Sequence, residues 1–203
     1  MGLNAPEAMD AAQFAKRTQE LLEIYPQEFA YAQLNLLDSH DMPRFLSLVN
    51  EDTQRLYLAY LFIMTYPGAP CIYYGDEIGL TGGADPMCRK SFPWDESTWN
   101  NNLRSKLREL TLLRHAMPVL RTGAYLPLLS QDSLLVYARK DDEDAAFVAI
   151  NLEDSARTIS ISVEGMPPDG TLLQDQISTM QVEVKDGQIR DLTIPRMSAC
   201  ILA

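Results

Sequence analysis

The stretch LLDSHDMPR (residues 36–44) is a short apolar run that ends abruptly in ionisable residues. Further along the chain, PGAPCIYYGDE (residues 67–77) has the same form. Buried parallel strands are near-continuous apolar runs, and in a barrel of alternating strands and helices they deliver polar side chains at their carboxyl ends. The two stretches therefore predict neighbouring parallel strands, with a polar site where both strands end.

The loop after the first run brings three kinds of polar side chain together. His40 and Asp41 are adjacent, and Arg44 follows close behind. An imidazole, a carboxylate and a guanidinium in one loop can hold a polyhydroxylated ligand through charge-assisted hydrogen bonds. A neighbouring His and Asp often serve a purely structural hydrogen bond, but the position at a strand end favours a binding role.

The residues that flank the two runs predict alternating helices and strands. The predicted order is a helix that begins after Asp10 and stops at Pro26, a strand over 29–37, a helix that begins after Asp52 and ends at Pro67, and a strand over 71–74. The helix signals are apolar residues at helical spacing, with capping residues ahead of them. This order is the repeat of a parallel α/β architecture.

The segment over 75–101 is too long for a simple connection and is rich in Gly, Pro and polar residues. Loops of that length inside a compact domain are usually functional. Trp94 lies in this loop and is the best aromatic candidate for stacking on a ligand. A helix over 102–116 follows, in which Arg114 is expected to lie largely off the buried stripe of Leu103, Leu107, Leu110 and Leu113.

Beyond Pro118 the sequence changes to short β-type runs separated by turn signals. The predicted strands cover 134–137, 145–150, 158–163, 181–184, 189–194 and 198–202. Several short strands at this spacing indicate an antiparallel β-sandwich. We place the boundary near Thr122, which divides the chain into an α/β unit over 1–121 and an all-β unit over 122–203.

Composition excludes several classes of partner. The net charge of −11 argues against nucleic acid and against an anionic membrane, because both bind basic surfaces. Three cysteines without a CxxC spacing indicate neither a disulfide framework nor a zinc site, and we predict no metal and no cofactor. Residues 1–7 lack a secretory signal pattern, and the longest apolar stretch, over 56–64, is too short to span a bilayer. We therefore expect a cytoplasmic setting.

Four motifs together carry a family resemblance. They are LLDSHDMPR at 36–44, YYGDEIGLTGGADP at 73–86, CRK at 88–90 and FPWD at 92–95. With these motifs the chain resembles the C-terminal part of an α-amylase-family glycoside hydrolase, of the cyclomaltodextrinase, neopullulanase and maltogenic amylase branch. The resemblance implies the last two strands of a (β/α)8 barrel and their helices over 1–121, followed by a C-terminal β domain over 122–203.

The resemblance also implies roles for single residues. His40 donates to sugar hydroxyls, and Asp41 grips the vicinal hydroxyls of the ring being cleaved, so that the distorted ring of the transition state is favoured. Asp85 and Arg89 match positions that hold the neighbouring sugar on the non-reducing side. Arg44 and Trp94 complete the predicted substrate-binding set. Asp76 and Glu77 are expected to be structural.

One departure from the family pattern concerns catalysis. Retaining cleavage of an α-glycosidic bond needs a carboxylate nucleophile and a second carboxyl that acts as acid and then base. The resemblance implies that both come from the fourth and fifth barrel strands, which precede the residues present here. A closed barrel needs roughly 250 residues, so this chain would carry about a quarter of one. We predict that the full-length protein is a glycoside hydrolase and that this chain alone is inactive.

The expected ligands are α-glucan oligosaccharides or cyclodextrins, and two other functions stay open. One is a glucan transferase or isomerase of the same superfamily, since the same strand-end residues serve those reactions. The other is a non-catalytic carbohydrate-binding or assembly module built on the β unit, whose few aromatic residues are an argument against it. A partial barrel would also expose strand edges and apolar helix faces, so we expect self-association through the open barrel face.

Overall fold

A computed structural model describes residues 9–203. Residues 1–8, where the sequence predicts no secretory signal, lie outside the described residues. The described chain has a helix-rich first part and a β-rich second part. The helices of the first part are α1 (Ala11–Glu23), α2 (Gln27–Ala30), α3 (Phe45–Leu48), α4 (Thr53–Thr65), α5 (Asn101–Ala116) and α6 (Val119–Thr122). Its strands are β1 (Leu34–Asn35) and β2 (Ala69–Pro70).

The two strands of the first part form a parallel pair, with Leu34 opposite Ala69 and Asn35 opposite Pro70. Helix α4 connects them, so the predicted alternation of helices and parallel strands is confirmed. The parallel pairing sends both chains out at the same end of the sheet. The loops that follow β1 and β2 therefore meet there.

The predicted bounds of both strands are wrong. The strand expected over 29–37 is reduced to Leu34–Asn35, because Pro26 ends the first helical run and begins α2, which takes in Phe29. Proline suits such a helix start because its ring presets φ and it has no N–H to leave unpaired. The strand expected over 71–74 is wrong because ladder pairing ends at Pro70, and the chain beyond it finds no neighbouring strand among the described residues.

The predicted helix starts are confirmed. The Asp10 carboxylate accepts a hydrogen bond from the Gln13 amide at 2.8 Å, and the Gln13 side chain accepts one from the Asp10 amide at 3.1 Å. This reciprocal pair is a capping box, and it satisfies amides that a helix start leaves unpaired. Asp52 caps α4 in the same way, through the amides of Gln54 and Arg55.

The expectation that Arg114 lies off the buried face of α5 is wrong. Its guanidinium is buried and donates to the carbonyls of Met64 and Gly68, both at 2.6 Å, and of Leu120 at 2.9 Å. These carbonyls belong to the end of α4, the turn after it and α6. A helix end leaves carbonyls without partners and carries partial negative charge, so a guanidinium placed there is satisfied without a carboxylate.

The second part is an antiparallel β-sandwich, as predicted. Its strands are β3 (Ala124–Gln131), β4 (Leu134–Lys140), β5 (Ala145–Asn151), β6 (Arg157–Ser162), β7 (Leu172–Gln174), β8 (Gln181–Lys185), β9 (Gln188–Ile194) and β10 (Ser198–Leu202). One sheet has the order β10-β5-β4-β3 and the other β6-β9-β8-β7. The sequence did not predict β3 or β7, whose runs are interrupted by Pro127 or too short to carry a pattern.

Three strands of the first sheet, β4, β5 and β10, are buried on both faces. Along β4, Leu134 and Val136 face the second sheet, whereas Leu135 and Tyr137 pack against α4 and α5. Successive residues of a strand point to opposite faces, so a strand covered on both sides reads as an unbroken apolar run. This sheet is the platform on which the helices of the first part rest, and it positions α4 between the β-sandwich and the site loops.

Candidate active site

The loop after β1 carries His40 and Asp41 on its exposed side. His40 Nε2 lies 3.2 Å from Asp41 Oδ2, and both side chains are largely exposed. The Asp41 amide donates to Ser39 Oγ at 3.2 Å, which turns the loop back on itself. At the base of the loop, the buried carboxylate of Asp38 accepts a hydrogen bond from the Phe45 amide at 2.6 Å. The loop is thus closed from below, and its imidazole and carboxylate face solvent.

The prediction that Arg44 binds substrate is wrong. No part of its side chain reaches the surface. Its Nη1 donates to Asp76 Oδ1 at 2.9 Å, and its guanidinium lies over the rings of Tyr73 and Tyr74 at 4.5 and 4.9 Å from their centroids. A buried guanidinium needs a carboxylate partner and flat surfaces to pack on, and the segment after β2 supplies both. Arg44 therefore anchors the loop.

Asp76 and Glu77 have structural roles, as the sequence predicts. Asp76 is buried. It pairs with Arg44 and accepts a hydrogen bond from the Tyr60 hydroxyl, with 2.6 Å between the two oxygens. Burial raises the pKa of Asp76 to about 7, opposed by the Tyr60 hydrogen bond and assisted by the neighbouring Asp38 carboxyl. The Glu77 carboxylate accepts a hydrogen bond from the Gly75 amide at 2.7 Å. These contacts use both carboxylates to hold the turn after β2.

Part of the long segment over 75–101 makes three hydrogen bonds to the His40 loop and to the helix α3 that follows it. The Arg44 amide donates to the Gly82 carbonyl at 2.8 Å, and the Gly82 amide donates to Ser47 Oγ at 2.8 Å. The Cys88 thiol donates to the His40 carbonyl at 3.2 Å. Sequence reasoning missed Gly82 and Cys88. The pair Gly82-Gly83 is a visible turn signal, but nothing in the sequence says which glycine the docking needs.

Asp85 and Arg89 form the second exposed pair of the site. Arg89 Nη2 lies 2.8 Å from Asp85 Oδ1, and both side chains are about half exposed. A short 3-10 helix at Met87–Arg89 lies between them in sequence and contains Cys88, the residue bonded to the His40 loop. The structure therefore places the two exposed pairs on loops that contact each other: His40 and Asp41 on one loop, Asp85 and Arg89 on the other.

Trp94 lies in a separate hollow of about 460 Å³ further along the segment. Its indole is 83% exposed and packs edge-on against Phe92, with ring centroids 4.9 Å apart. Phe92 contacts Trp99 in turn, and the Arg104 guanidinium lies 4.9 Å from the Trp99 ring centroid. In the described part of the chain, no hydrogen bond, ion pair or ring contact joins Trp94 to either exposed pair.

Two searches of residues 9–203 bear on ions and membranes. No group of three or more His, Cys, Asp or Glu side chains lies close enough together to hold a metal ion within this range. None of its helices is both long and apolar enough to cross a bilayer. The two exposed ion pairs offer hydrogen-bond donors and acceptors that suit hydroxyl-rich ligands.

Two family models match consecutive parts of the chain. The model "Alpha amylase, catalytic domain" matches residues 4–118, and "Alpha-amylase C-terminal domain" matches residues 123–202. The first match contains both exposed pairs.

Similar proteins span the same two regions. A cyclomaltodextrinase of Geobacillus thermopakistaniensis (strain MAS1) is 40% identical over 162 residues, which is 79% of this chain and 28% of the relative. A maltogenic alpha-amylase of Bacillus acidopullulyticus is 32% identical over 196 residues, 95% of this chain and 33% of the relative. The solved debranching enzyme of Nostoc punctiforme matches with a TM-score of 0.85 and 37% identity, covering 96% of this chain and 40% of that one. The chain thus spans a third or less of the length of these two curated relatives.

Proposed function

The chain belongs to the α-amylase family, and we propose that it supplies the substrate-gripping part of the active site of an α-glucan hydrolase. The proposed substrates are cyclodextrins, pullulan or maltooligosaccharides, and the proposed cleavage retains configuration. The similarity to a cyclomaltodextrinase and a maltogenic alpha-amylase supports α-glucans as the substrate class. The observation that carries the proposal is the hydrogen bond from the Cys88 thiol to the His40 carbonyl, since it joins the two loops that bear the exposed ion pairs.

Each pair has its own role in the proposal. Asp41 accepts hydrogen bonds from vicinal hydroxyls of the ring being cleaved and stabilises the transition state, while His40 donates to a hydroxyl of the same ring. Asp85 and Arg89 hold the neighbouring sugar, where a carboxylate and a guanidinium offer acceptors and donors at once. Trp94 stacks on a further sugar ring of a longer chain, since its indole face is open.

We propose that these 203 residues do not cleave α-glucans by themselves. The nucleophile and the acid/base expected for this family lie on barrel strands that the chain does not contain, and Asp76, the buried carboxylate nearest to β2, is committed to Arg44 and Tyr60. In this proposal the chain binds the substrate, and cleavage requires the remaining strands of a barrel. The proposed units are a partial barrel over 1–121 and a β domain over 122–203, which the two family matches support.

The alternative of a carbohydrate-binding module in the β domain has little support. The aromatic side chains that a sugar-stacking platform would need are buried in the core: Tyr125 is 8% exposed, Phe147 1% and Tyr137 0%. Buried rings cannot present a face to a sugar. A transferase or isomerase would use the same gripping residues, so the site favours neither over hydrolysis.

Isothermal titration of the full chain with maltotriose tests the proposal. We expect weak binding that falls at least about tenfold in Asp41→Asn, because a lost charge-assisted hydrogen bond is worth about 1.5–3 kcal/mol. Arg89→Gln should weaken binding by a similar factor. The matched control is Asp154→Asn, an exposed carboxylate in the β domain. Equal affinity in all four proteins would contradict the proposed site.

A further inference from the structure

Beneath the His40 loop lies a buried cluster of four polar side chains that the proposed function does not use. Its members are Asp38, Arg44, Tyr60 and Asp76, each 2% exposed or less. They come from the loop after β1, from α4 and from the turn after β2. Two carboxyls, one guanidinium and one phenol thus share a site without access to solvent, where unbalanced charge is expensive.

The contacts of the cluster leave several atoms without partners. One Asp76 carboxylate oxygen accepts a hydrogen bond from Arg44 Nη1 at 2.9 Å, and the other accepts one from the Tyr60 hydroxyl at 2.6 Å. Asp38 receives the Phe45 amide on Oδ2. In the described part of the chain, Asp38 Oδ1 and the Nε and Nη2 atoms of Arg44 have no hydrogen-bond partner. Buried polar atoms are nearly always paired, so these need an explanation.

The net charge of the cluster offers an explanation for these unpaired atoms. With both carboxyls ionised the cluster carries −2 from Asp38 and Asp76 and +1 from Arg44, which leaves one negative charge in the core. One added proton makes the cluster neutral. The charge of the neighbouring Asp38 carboxyl also raises the pKa of Asp76, which favours its protonated form. A proton between the two carboxyls would give Asp38 Oδ1 the partner it lacks.

We propose that Asp38 and Asp76 share one carboxyl proton, and that the neutral cluster they form with Arg44 positions the loop bearing His40 and Asp41. Asp38 closes this loop at the Phe45 amide, and the Arg44 amide ties it to Gly82. The cluster therefore holds both ends of the loop. Only the consequence for sugar binding rests on the proposed function; the shared proton does not.

The proton gives the loop anchor a pH dependence of definite sign. The groups that face Asp76 are Arg44, Asp38 and Tyr60, and the rings of Tyr73 and Tyr74 cover Arg44. Burial raises the pKa of Asp76 from 3.8 to about 7, so the folded state binds the proton more tightly than the unfolded state does. The stabilisation is fully present below about pH 4 and is lost as the pH rises through about 7. The pKa of Tyr60 is raised far above its usual range, so its phenol does not titrate in this window.

Urea unfolding of the full chain at pH 5 and pH 8 tests the proposal. We expect the unfolding constant of the natural sequence to rise about tenfold to a hundredfold between the two pH values from this cluster alone. Asp76→Asn and Asp38→Asn each replace the shared proton with an amide that donates at every pH, so both should lose most of this rise. The control Asp154→Asn removes an exposed carboxylate and leaves the cluster intact. Its unfolding constant should rise between pH 5 and pH 8 as much as that of the natural sequence.

A second measurement keeps the proposal falsifiable if either variant fails to fold. Carbon-13 NMR of aspartate carboxyls in the natural sequence should show one coupled titration near neutral pH that belongs to the pair. Two carboxyls that both ionise below pH 5, or a pH slope that Asp76→Asn leaves unchanged, would overturn the shared proton. If the pair shows the predicted coupled titration but the chain does not bind maltotriose, the proposed function is overturned and the shared proton is retained.

Amide hydrogen exchange supplies the readout for positioning. The amides of Asp41, Met42 and Arg44 should lose protection at pH 8 beyond the intrinsic pH effect, and Asp76→Asn should prevent that loss. Exchange in β9 serves as the internal reference. Loop protection that does not change with the state of the pair would overturn the positioning role.

Discussion

His40 and Arg44 belong to one loop, yet one side chain is largely exposed and the other is fully buried. The difference comes from their partners. Arg44 finds Asp76 and two tyrosine rings in the segment after β2, whereas His40 finds only the neighbouring Asp41 at the surface. The buried residues of the loop set its shape, and the exposed ones are left free to contact a ligand.

Gly82 is the residue on which the docking of the long segment depends most sharply. A Cβ added there would lie 2.3 Å from the Met87 carbonyl oxygen, closer than any real contact, whereas one added at Gly83 would meet nothing within 4 Å. We expect Gly82→Ala to lower the free energy of unfolding by about 1–3 kcal/mol, and its neighbour Gly83→Ala to stay within about 0.5 kcal/mol of the natural sequence. Urea denaturation measures both. Equal stability of the two variants would show that the close approach at Gly82 is not needed.

At the scale of elements, β1 and β2 form a sheet with two open edges. Each strand pairs only with the other among the described residues. Apolar side chains beside this sheet are exposed, including Ile24, Tyr25, Phe29, Leu34 and Leu36. Unpaired edges next to uncovered apolar surface favour association with further chain.

We therefore predict that the isolated chain self-associates through this open face. Sedimentation equilibrium should show a mass above one chain at high protein concentration, and replacing Leu34 and Leu36 with lysine should shift the equilibrium toward the monomer. Leu172→Lys, an exposed leucine on the β domain, is the control. A monomer at every concentration, with no binding of a dye for exposed apolar surface, would contradict this prediction.

The helices and the sandwich show which elements a sequence pattern can predict. Capping residues and helical spacing placed α1 and α4 correctly, because those signals are local. The ends of β1 and β2 were misplaced, because a strand exists only where a partner strand lies alongside. Arg114 was misjudged for the same kind of reason: its carbonyl partners come from α4 and α6 and are invisible in the pattern of α5 itself.

In the candidate site, too, local sequence signals predicted some features and missed those that depend on residues distant in sequence. Residue types at a strand end identified His40 and Asp41, and the family resemblance added Asp85 and Arg89. The structure places these four residues on two loops that contact each other. The burial of Arg44 depends on Asp76, a residue distant in sequence, so no local pattern could reveal it. The separation of Trp94 from the two pairs also depends on how the long segment folds back, which composition does not specify.

At the scale of the whole molecule, the sheet of β10, β5, β4 and β3 joins the two parts into one unit. Tyr137 of β4 contacts Thr65 of α4 through their hydroxyls at 2.5 Å, and Arg139 donates to the Leu120 carbonyl at 2.7 Å. The β domain therefore supports α4, and α4 supplies Tyr60 to the buried cluster under the site loop.

We propose that the chain binds an α-glucan with the two exposed pairs and does not cleave it. One NMR titration of the nitrogen-15-labelled chain with maltoheptaose tests both halves. We predict shifts in the amide signals of residues 39–42, 85 and 87–89, none in those of β6 to β9, and no change over time in the anomeric proton signals of the sugar. Shifts confined to the β domain would contradict the grip, and new anomeric signals from shorter sugars would contradict the absence of cleavage.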